Sequence, residues 1–148
     1  HERAERRAVD EKLAQRIENE GTDAFIEFWQ NTPMIRSQKN IRPAWRDVMQ
    51  ANRKLHTPEG LATSLRQFGQ GNCPNLWPKL SKLKLPILLV TGSEDLKYTA
   101  IAERMDNELS TFHAQPTTHA IIDGVSHMPH LEDPAKTVGL VEEFIRRS

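Results

Sequence analysis

The sequence predicts an α/β fold, in which a helical first half is followed by parallel strands and their helices. Two observations support this prediction. Residues 1–71 show helical spacing of apolar residues without a strand pattern, whereas residues 72–148 contain two apolar runs that alternate with helical segments. A strand–helix–strand–helix order is typical of proteins with a parallel sheet. The length of 148 residues and the hydrophobic content of 37% suit one domain of this class.

Four helices are expected in residues 1–71, which we interpret as a helical cap. Val9, Leu13 and Ile17 recur every four residues among charged neighbours, as in an amphipathic helix. Glycine favours helix ends, and proline and threonine favour helix starts. The expected boundaries are Gly21 and Thr22 between the first two helices, Pro33 at the end of the second, a loop over 33–41, Pro43 at the start of the third, Thr57 as the cap of the fourth and Gly69 at its end.

Two strands are expected in residues 72–148, which we interpret as the C-terminal part of an α/β core. The run over 86–92 is apolar on both faces, as in a buried parallel strand, and 119–124 reads as a second strand. Helices are expected after Pro74, over 98–109, and from Asp133-Pro134 onward.

Two parallel strands need neighbours and covering helices, so this half looks like the end of a larger sheet. We expect the missing strands to come from an upstream N-terminal half, a companion chain or a swapped copy. The first residue is His1 rather than Met, which we interpret as a trimmed start or a tag remnant.

Composition argues against several classes of partner. Lys plus Arg number 20 and Asp plus Glu number 20, so no global basic field favours nucleic acid. No apolar run approaches the roughly 20 residues of a membrane span. A single cysteine, Cys73, excludes an internal disulfide and favours a reducing, cytoplasmic location.

Two residues with acid–base chemistry follow the predicted strands. Asp95 comes after the first strand and His127 after the second, and ligands of open α/β sheets bind at these strand ends. A carboxylate that orients an imidazole is part of a Ser-His-Asp triad, and the order Asp then His is that of α/β hydrolases. Each residue alone is more often structural, and Glu94 is a less favoured alternative to Asp95.

No serine in the chain fits the nucleophile elbow G-x-S-x-G, so this chain alone is expected to be inactive. His127 and His130 also resemble a pair of metal ligands, but without a carboxylate or a helix to fix their spacing this signal is weak, and no metal is expected. Among the serines that lack paired glycines are Ser37, Ser64, Ser81, Ser93, Ser110 and Ser126.

A basic stretch over 36–54 is the other candidate feature. It holds six basic residues against the single acid Asp47, a balance that can hold an anionic small molecule. A solvated helix face is the simpler interpretation of these charges. The aromatic group Phe25, Phe28 and Trp29 is likewise more often core than ligand contact.

Five stretches of the sequence also carry a resemblance to a known family: 3–10, 60–66, 76–77, 92–98 and 124–134. With these stretches the chain resembles the C-terminal part of the menaquinone-pathway 2-succinyl-6-hydroxy-2,4-cyclohexadiene-1-carboxylate synthases, the MenH family. The resemblance implies a partial α/β-hydrolase fold with a cap, and a lyase that needs no cofactor. Its members eliminate pyruvate with a Ser-His-Asp triad.

The resemblance also implies roles for individual residues. Asp95 matches the acid and His127 the base, while Arg6 and Arg53 match cap arginines that bind substrate carboxylates. Phe28 or Trp29 matches an aromatic residue of the same pocket, and the choice between them stays open. The chain departs from the family pattern at Val125-Ser126, where Ala-Gly is usual, and at Tyr98, where phenylalanine is more usual.

Two other functions stay open at this point. The same acid and base would serve an ester or carbon–carbon bond hydrolase. A non-catalytic interaction module, paired through an exposed sheet edge, would explain the missing elbow.

Overall fold

The computed structural model describes residues 2–112 and 116–147. The chain divides into two compact units. The first comprises His1–Thr32 and Pro43–Asn75, and the second comprises Pro33–Arg42 and Leu76–Ser148. Residues 33–42, which the sequence analysis assigned to the cap, therefore group with the second unit.

The first unit is built from three helices, α1 (Glu2–Gln30), α3 (Pro43–Arg53) and α4 (Pro58–Phe68). Helix α1 is kinked at Gly21, whose φ of 85° lies in the left-handed region that glycine adopts without steric cost. The predicted break at Gly21 is thus confirmed, although the two segments run on from each other across the kink. Thr57 caps α4 as predicted, since its side chain accepts a hydrogen bond from the N–H of Gly60 at 3.1 Å.

Helices α1 and α4 pack against each other around Ala14, Ile17 and Ala62, which are fully buried. An ionic cluster also joins them at the surface. The Nε of Arg66 lies 2.8 Å from a carboxylate oxygen of Glu11, and its Nη1 lies 2.5 Å from one of Glu18. Hydrogen bonds from this guanidinium lower the pKa of both glutamates. We call Arg66, Glu11 and Glu18 the Arg66 cluster.

The second unit holds a parallel two-stranded sheet, β1 (Ile87–Gly92) with β2 (Thr117–Ile122), paired from Ile87↔Thr117 to Gly92↔Ile122. The parallel pairing confirms the sequence prediction, with β2 two residues earlier than expected. The other elements of this unit are α2 (Pro33–Arg36), a 3-10 helix over Ser37–Asn40, a 3-10 helix over Trp77–Lys82, α5 (Leu96–Phe112), α6 (Pro129–Glu132) and α7 (Pro134–Arg147).

One local prediction was wrong, and one short helix was missed. The segment over 33–41 is not a loop, because Pro33 starts α2 instead of only ending the helix before it. Its apolar residues Ile35 and Ile41 are buried, which gives the segment a reason to fold. Helix α6 was not predicted, since four residues are too few to show a period.

The core of the second unit includes Leu109, Ala102, Ile122 and Val125. Asp133 caps α7 through a hydrogen bond from the N–H of Lys136 at 3.1 Å. The nearby Lys136 ammonium and this N–H lower the pKa of the Asp133 carboxyl. Among the residues described, no helix is both long and apolar enough to cross a membrane.

Candidate functional site

Asp95 and His127 meet at the carboxyl end of the sheet. The Nδ1 of His127 lies 2.6 Å from Oδ2 of Asp95, with the aspartate side chain 8% exposed and the imidazole 30% exposed. The other oxygen of Asp95 accepts a hydrogen bond from the N–H of Tyr98 at 3.2 Å. A carboxylate only accepts, so Nδ1 carries the proton and Nε2 is left as the basic nitrogen.

The two loops that carry the pair are joined by backbone hydrogen bonds. The N–H of Ser93 donates to Ile122 at 2.9 Å, and the N–H of Glu94 donates to Val125 at 2.9 Å. The hydroxyl of Ser93 also accepts from the N–H of Gly124 at 2.9 Å. These bonds follow from the register of β1 and β2, which brings both strands to an end at the same level.

Gly92 allows the loops to approach this closely. A Cβ at this position would lie 2.2 Å from the carbonyl oxygen of Val125 and 2.5 Å from that of Ser126. No real side chain fits such distances. The glycine at the end of β1 is therefore required for the contact between the loop of Asp95 and the loop of His127.

The imidazole also packs against an aromatic ring. The ring centroids of Tyr98 and His127 lie 4.8 Å apart at an interplanar angle of 56°. Both residues line a cleft of about 320 Å³, together with Asp95 and the five consecutive residues 88–92 of β1. Tyr98 was not predicted as a site residue, although its spacing of three residues from Asp95 places it one helical turn away.

Glu94, the alternative acid, donates its backbone N–H to Val125, whereas the carboxylate of Asp95 contacts the imidazole. The geometry therefore favours Asp95 over Glu94 as the partner of His127. Within the described part of the chain, no group of three or more His, Cys, Asp or Glu side chains could hold a metal ion.

The first unit contains a separate cavity of about 340 Å³. The guanidinium of Arg53 lies over the ring of Trp29, 4.7 Å from its centroid, and both residues line the cavity. Burial lowers the pKa of Arg53, but an arginine remains charged at neutral pH. The other lining residues are Ile17, Phe25, Ile26, His56, Leu61, Ser64 and Leu65.

The remaining predicted binding residues lie elsewhere on α1. The ring of Phe28, 45% exposed, lies under the guanidinium of Arg16 at 4.5 Å. Arg6 pairs with the buried Asp10, with its Nε 2.9 Å and its Nη2 2.8 Å from Oδ1. Of the two aromatic candidates, Trp29 is therefore the one beside Arg53.

No protein-family model matches the chain. A putative 2-succinyl-6-hydroxy-2,4-cyclohexadiene-1-carboxylate synthase from Bacillus subtilis is 32% identical over 144 residues, which cover 97% of this chain and 51% of the relative. The synthase of that name from Salmonella newport is 27% identical over 97% of this chain and 52% of the relative. The chain thus spans about half the length of the curated relatives that it matches.

A solved structure, described as MenH from S. aureus, matches with a TM-score of 0.89 and 28% identity. The match covers 99% of this chain and 53% of that structure. It confirms the predicted partial α/β-hydrolase fold. Similarity in sequence and in structure extends over nearly the whole chain, which supports its assignment to the C-terminal part of a MenH-family protein.

Proposed function

We propose that this chain is the C-terminal part of a lyase that eliminates pyruvate from 2-succinyl-5-enolpyruvyl-6-hydroxy-3-cyclohexene-1-carboxylate in menaquinone biosynthesis. The observation that carries the proposal is the hydrogen bond of 2.6 Å between Asp95 and His127 at the carboxyl end of the sheet. The chain that holds this pair is similar to proteins named 2-succinyl-6-hydroxy-2,4-cyclohexadiene-1-carboxylate synthase. We include a cytoplasmic location in the proposal, on the basis of the single free cysteine.

His127 would act as the general base and Asp95 would orient it. With Nδ1 bonded to Asp95, Nε2 can take the proton of a serine hydroxyl, and the carboxylate stabilises the imidazolium that results. The serine oxygen then removes a ring proton beside a carboxylate-bearing carbon. The electrons of that C–H bond form a double bond between ring carbons 2 and 3, the existing double bond shifts to carbons 4 and 5, and the C–O bond to the enolpyruvyl group breaks. The departing enolate takes the proton held by the His127 imidazolium and becomes pyruvate, which restores the neutral base.

The serine would come from outside this chain, in the half that the relatives have and this chain lacks. Strand β1 pairs with β2 along one edge, and the two form the whole sheet in the described residues. A further parallel strand against the other edge of β1 would end near His127, since parallel strands end at a common sheet edge. That placement suits a nucleophile at the end of an added strand.

Arg53 would bind a carboxylate of this anionic substrate, and Trp29 would line the same cavity. A guanidinium in an apolar cavity has lost part of its hydration, so an incoming carboxylate gains a strong partner there. Arg6 is a weaker candidate for the same role, because its Nε and Nη2 already bind the carboxylate of Asp10. We include no nucleic acid, metal or organic cofactor in the proposal.

The first test is the intact mass of the gene product that carries this chain, followed by assays on that product. Release of pyruvate from the proposed substrate, followed with a coupled dehydrogenase, supports the lyase. Cleavage of aryl esters without pyruvate release supports the hydrolase instead. A gene product no longer than this chain, with no partner that supplies a serine, would leave the interaction module as the better function.

His127→Ala in the active gene product should lower kcat at least about 10³-fold, as loss of a triad base does. His130→Ala is the matched control, because this exposed histidine lies only three residues away. Turnover near the wild-type value in His127→Ala would exclude His127 as the base.

Arg53→Ala should mainly raise KM, since it removes a contact to a carboxylate that is the same before and during the reaction. Arg53→Lys keeps the charge but loses the planar fork, and should recover only part of the affinity. Lys54→Ala, at the exposed next residue, is the control. An unchanged KM in Arg53→Ala would remove this residue from the substrate site.

A further inference from the structure

Glu132 holds both neighbours of His127 by their backbone. Its Oε2 accepts a hydrogen bond from the N–H of Ser126 at 2.9 Å, and its Oε1 accepts one from the N–H of Met128 at 3.1 Å. The hydroxyl of Ser37 donates to the same Oε1 at 3.1 Å. One carboxylate therefore accepts three hydrogen bonds, and two of them lie on either side of the imidazole-bearing residue.

Helix α6 returns the carboxylate to this loop. The N–H groups of Leu131 and Glu132 both donate to the carbonyl of Met128 at 2.9 Å, which turns the chain back on itself directly after His127. Glu132 is thereby placed one turn beyond the loop that it binds. The 3-10 segment beside it adds a second contact, from Nε2 of Gln38 to Sδ of Met128 at 3.0 Å.

We propose that Glu132 is a positioning residue for His127, which fixes the backbone of 126–128 so that the imidazole meets Asp95. The catalytic consequence of this role rests on the proposed function. The hydrogen bonds that define the role do not depend on it. The hydrogen bond to Asp95 fixes the imidazole ring at Nδ1, and the Glu132 carboxylate fixes the main chain from which the ring extends.

The three hydrogen bonds require a carboxylate. Both oxygens face N–H donors, so an amide at this position would direct its own NH2 group at one of them. Glu132→Gln therefore loses one backbone contact in either orientation and places two donors together. A lost partner for a part-buried N–H is costly in itself, and here the segment that moves carries the base.

The test compares Glu132→Gln with Glu142→Gln in the full gene product. Glu142 is an exposed glutamate on α7 and serves as the matched control. We expect Glu132→Gln to lower kcat about 10- to 100-fold with KM within about twofold, as a shift of the base by a fraction of an ångström to 1 Å would do.

A second readout separates this role from simple destabilisation. In the wild type, the proton on Nδ1 of His127 should give a low-field NMR signal, because it is held in a short bond to Asp95. Glu132→Gln should move this signal upfield or broaden it at temperatures well below unfolding, and Glu142→Gln should leave it in place. A folded Glu132→Gln with the wild-type signal and wild-type kcat would overturn the inference.

If Glu132→Gln does not fold, Ser37→Ala decides the question. It removes one of the three donors and leaves both backbone contacts of Glu132, so we expect a smaller shift of the Nδ1 proton signal in the same direction. An unchanged signal in Ser37→Ala would then overturn the inference. Failure of the wild type to release pyruvate would refute the proposed function alone, because the proton signal reports on His127 without substrate.

Discussion

Gly92→Ala offers a direct test of how tightly the loops of Asp95 and His127 must approach. The added methyl carbon would start 2.2 Å from the carbonyl oxygen of Val125, and real contacts of this kind begin near 3.0 Å. Since the obstacle is backbone, the loop after β2 must move by about 0.8 Å, the difference between these two distances. His127 lies on that loop, two residues after Val125.

This displacement sets the size of the expected effect. A misplacement of about 1 Å in a catalytic group costs about 10²-fold in rate, which corresponds to about 2.7 kcal/mol. We also expect overpacking to lower the free energy of unfolding by about 1–3 kcal/mol. Gly92→Ala should therefore remain folded at 25 °C while its kcat falls about 100-fold.

The assay is pyruvate release by the gene product at saturating substrate, with thermal unfolding of the same samples. Gly139→Ala is the matched control, because a Cβ there meets nothing within 4 Å and the site is inside α7. Replacing a helical glycine with alanine should stabilise the protein by about 0.5–1 kcal/mol and leave kcat unchanged. A kcat for Gly92→Ala within about threefold of wild type would refute the argument from loop approach.

Three further predictions concern stability. Leu109→Ala should lower the free energy of unfolding by about 2–5 kcal/mol in urea titrations, whereas Leu96→Ala on the same helix, 78% exposed, should change it by less than about 0.5 kcal/mol. Thr57→Ala removes the α4 cap and should cost about 1 kcal/mol by the same measurement, and no loss would mean that the cap bond is not formed in solution. In the Arg66 cluster the glutamate pKa values are lowered on folding, so its stabilisation is present above pH 4.5 and is lost as the pH falls through the folded values. Arg66→Gln should therefore make unfolding less dependent on pH below 4.5, and an unchanged pH profile would contradict this sign.

Local patterns in the sequence were enough to predict most elements of the fold and the placement of the acid–base pair. The apolar run over 86–92 predicted a buried parallel strand, and residues that follow two parallel strands meet at one edge. The structure accordingly places Oδ2 of Asp95 and Nδ1 of His127 2.6 Å apart. Their catalytic role stays a prediction, as does the substrate role of Arg53.

The tertiary structure alone decided which side chains surround these residues. Only packing shows that Trp29 rather than Phe28 lies beside Arg53, because both lie on α1 and the helical period does not indicate which one a cavity receives. Glu132 gave no signal of its own, since its three donors come from the loop after β2 and from the 3-10 helix over Ser37–Asn40, which the sequence does not place beside each other. Sequence periodicity reports the face of an element, whereas hydrogen bonds between distant loops depend on the register that the whole fold sets.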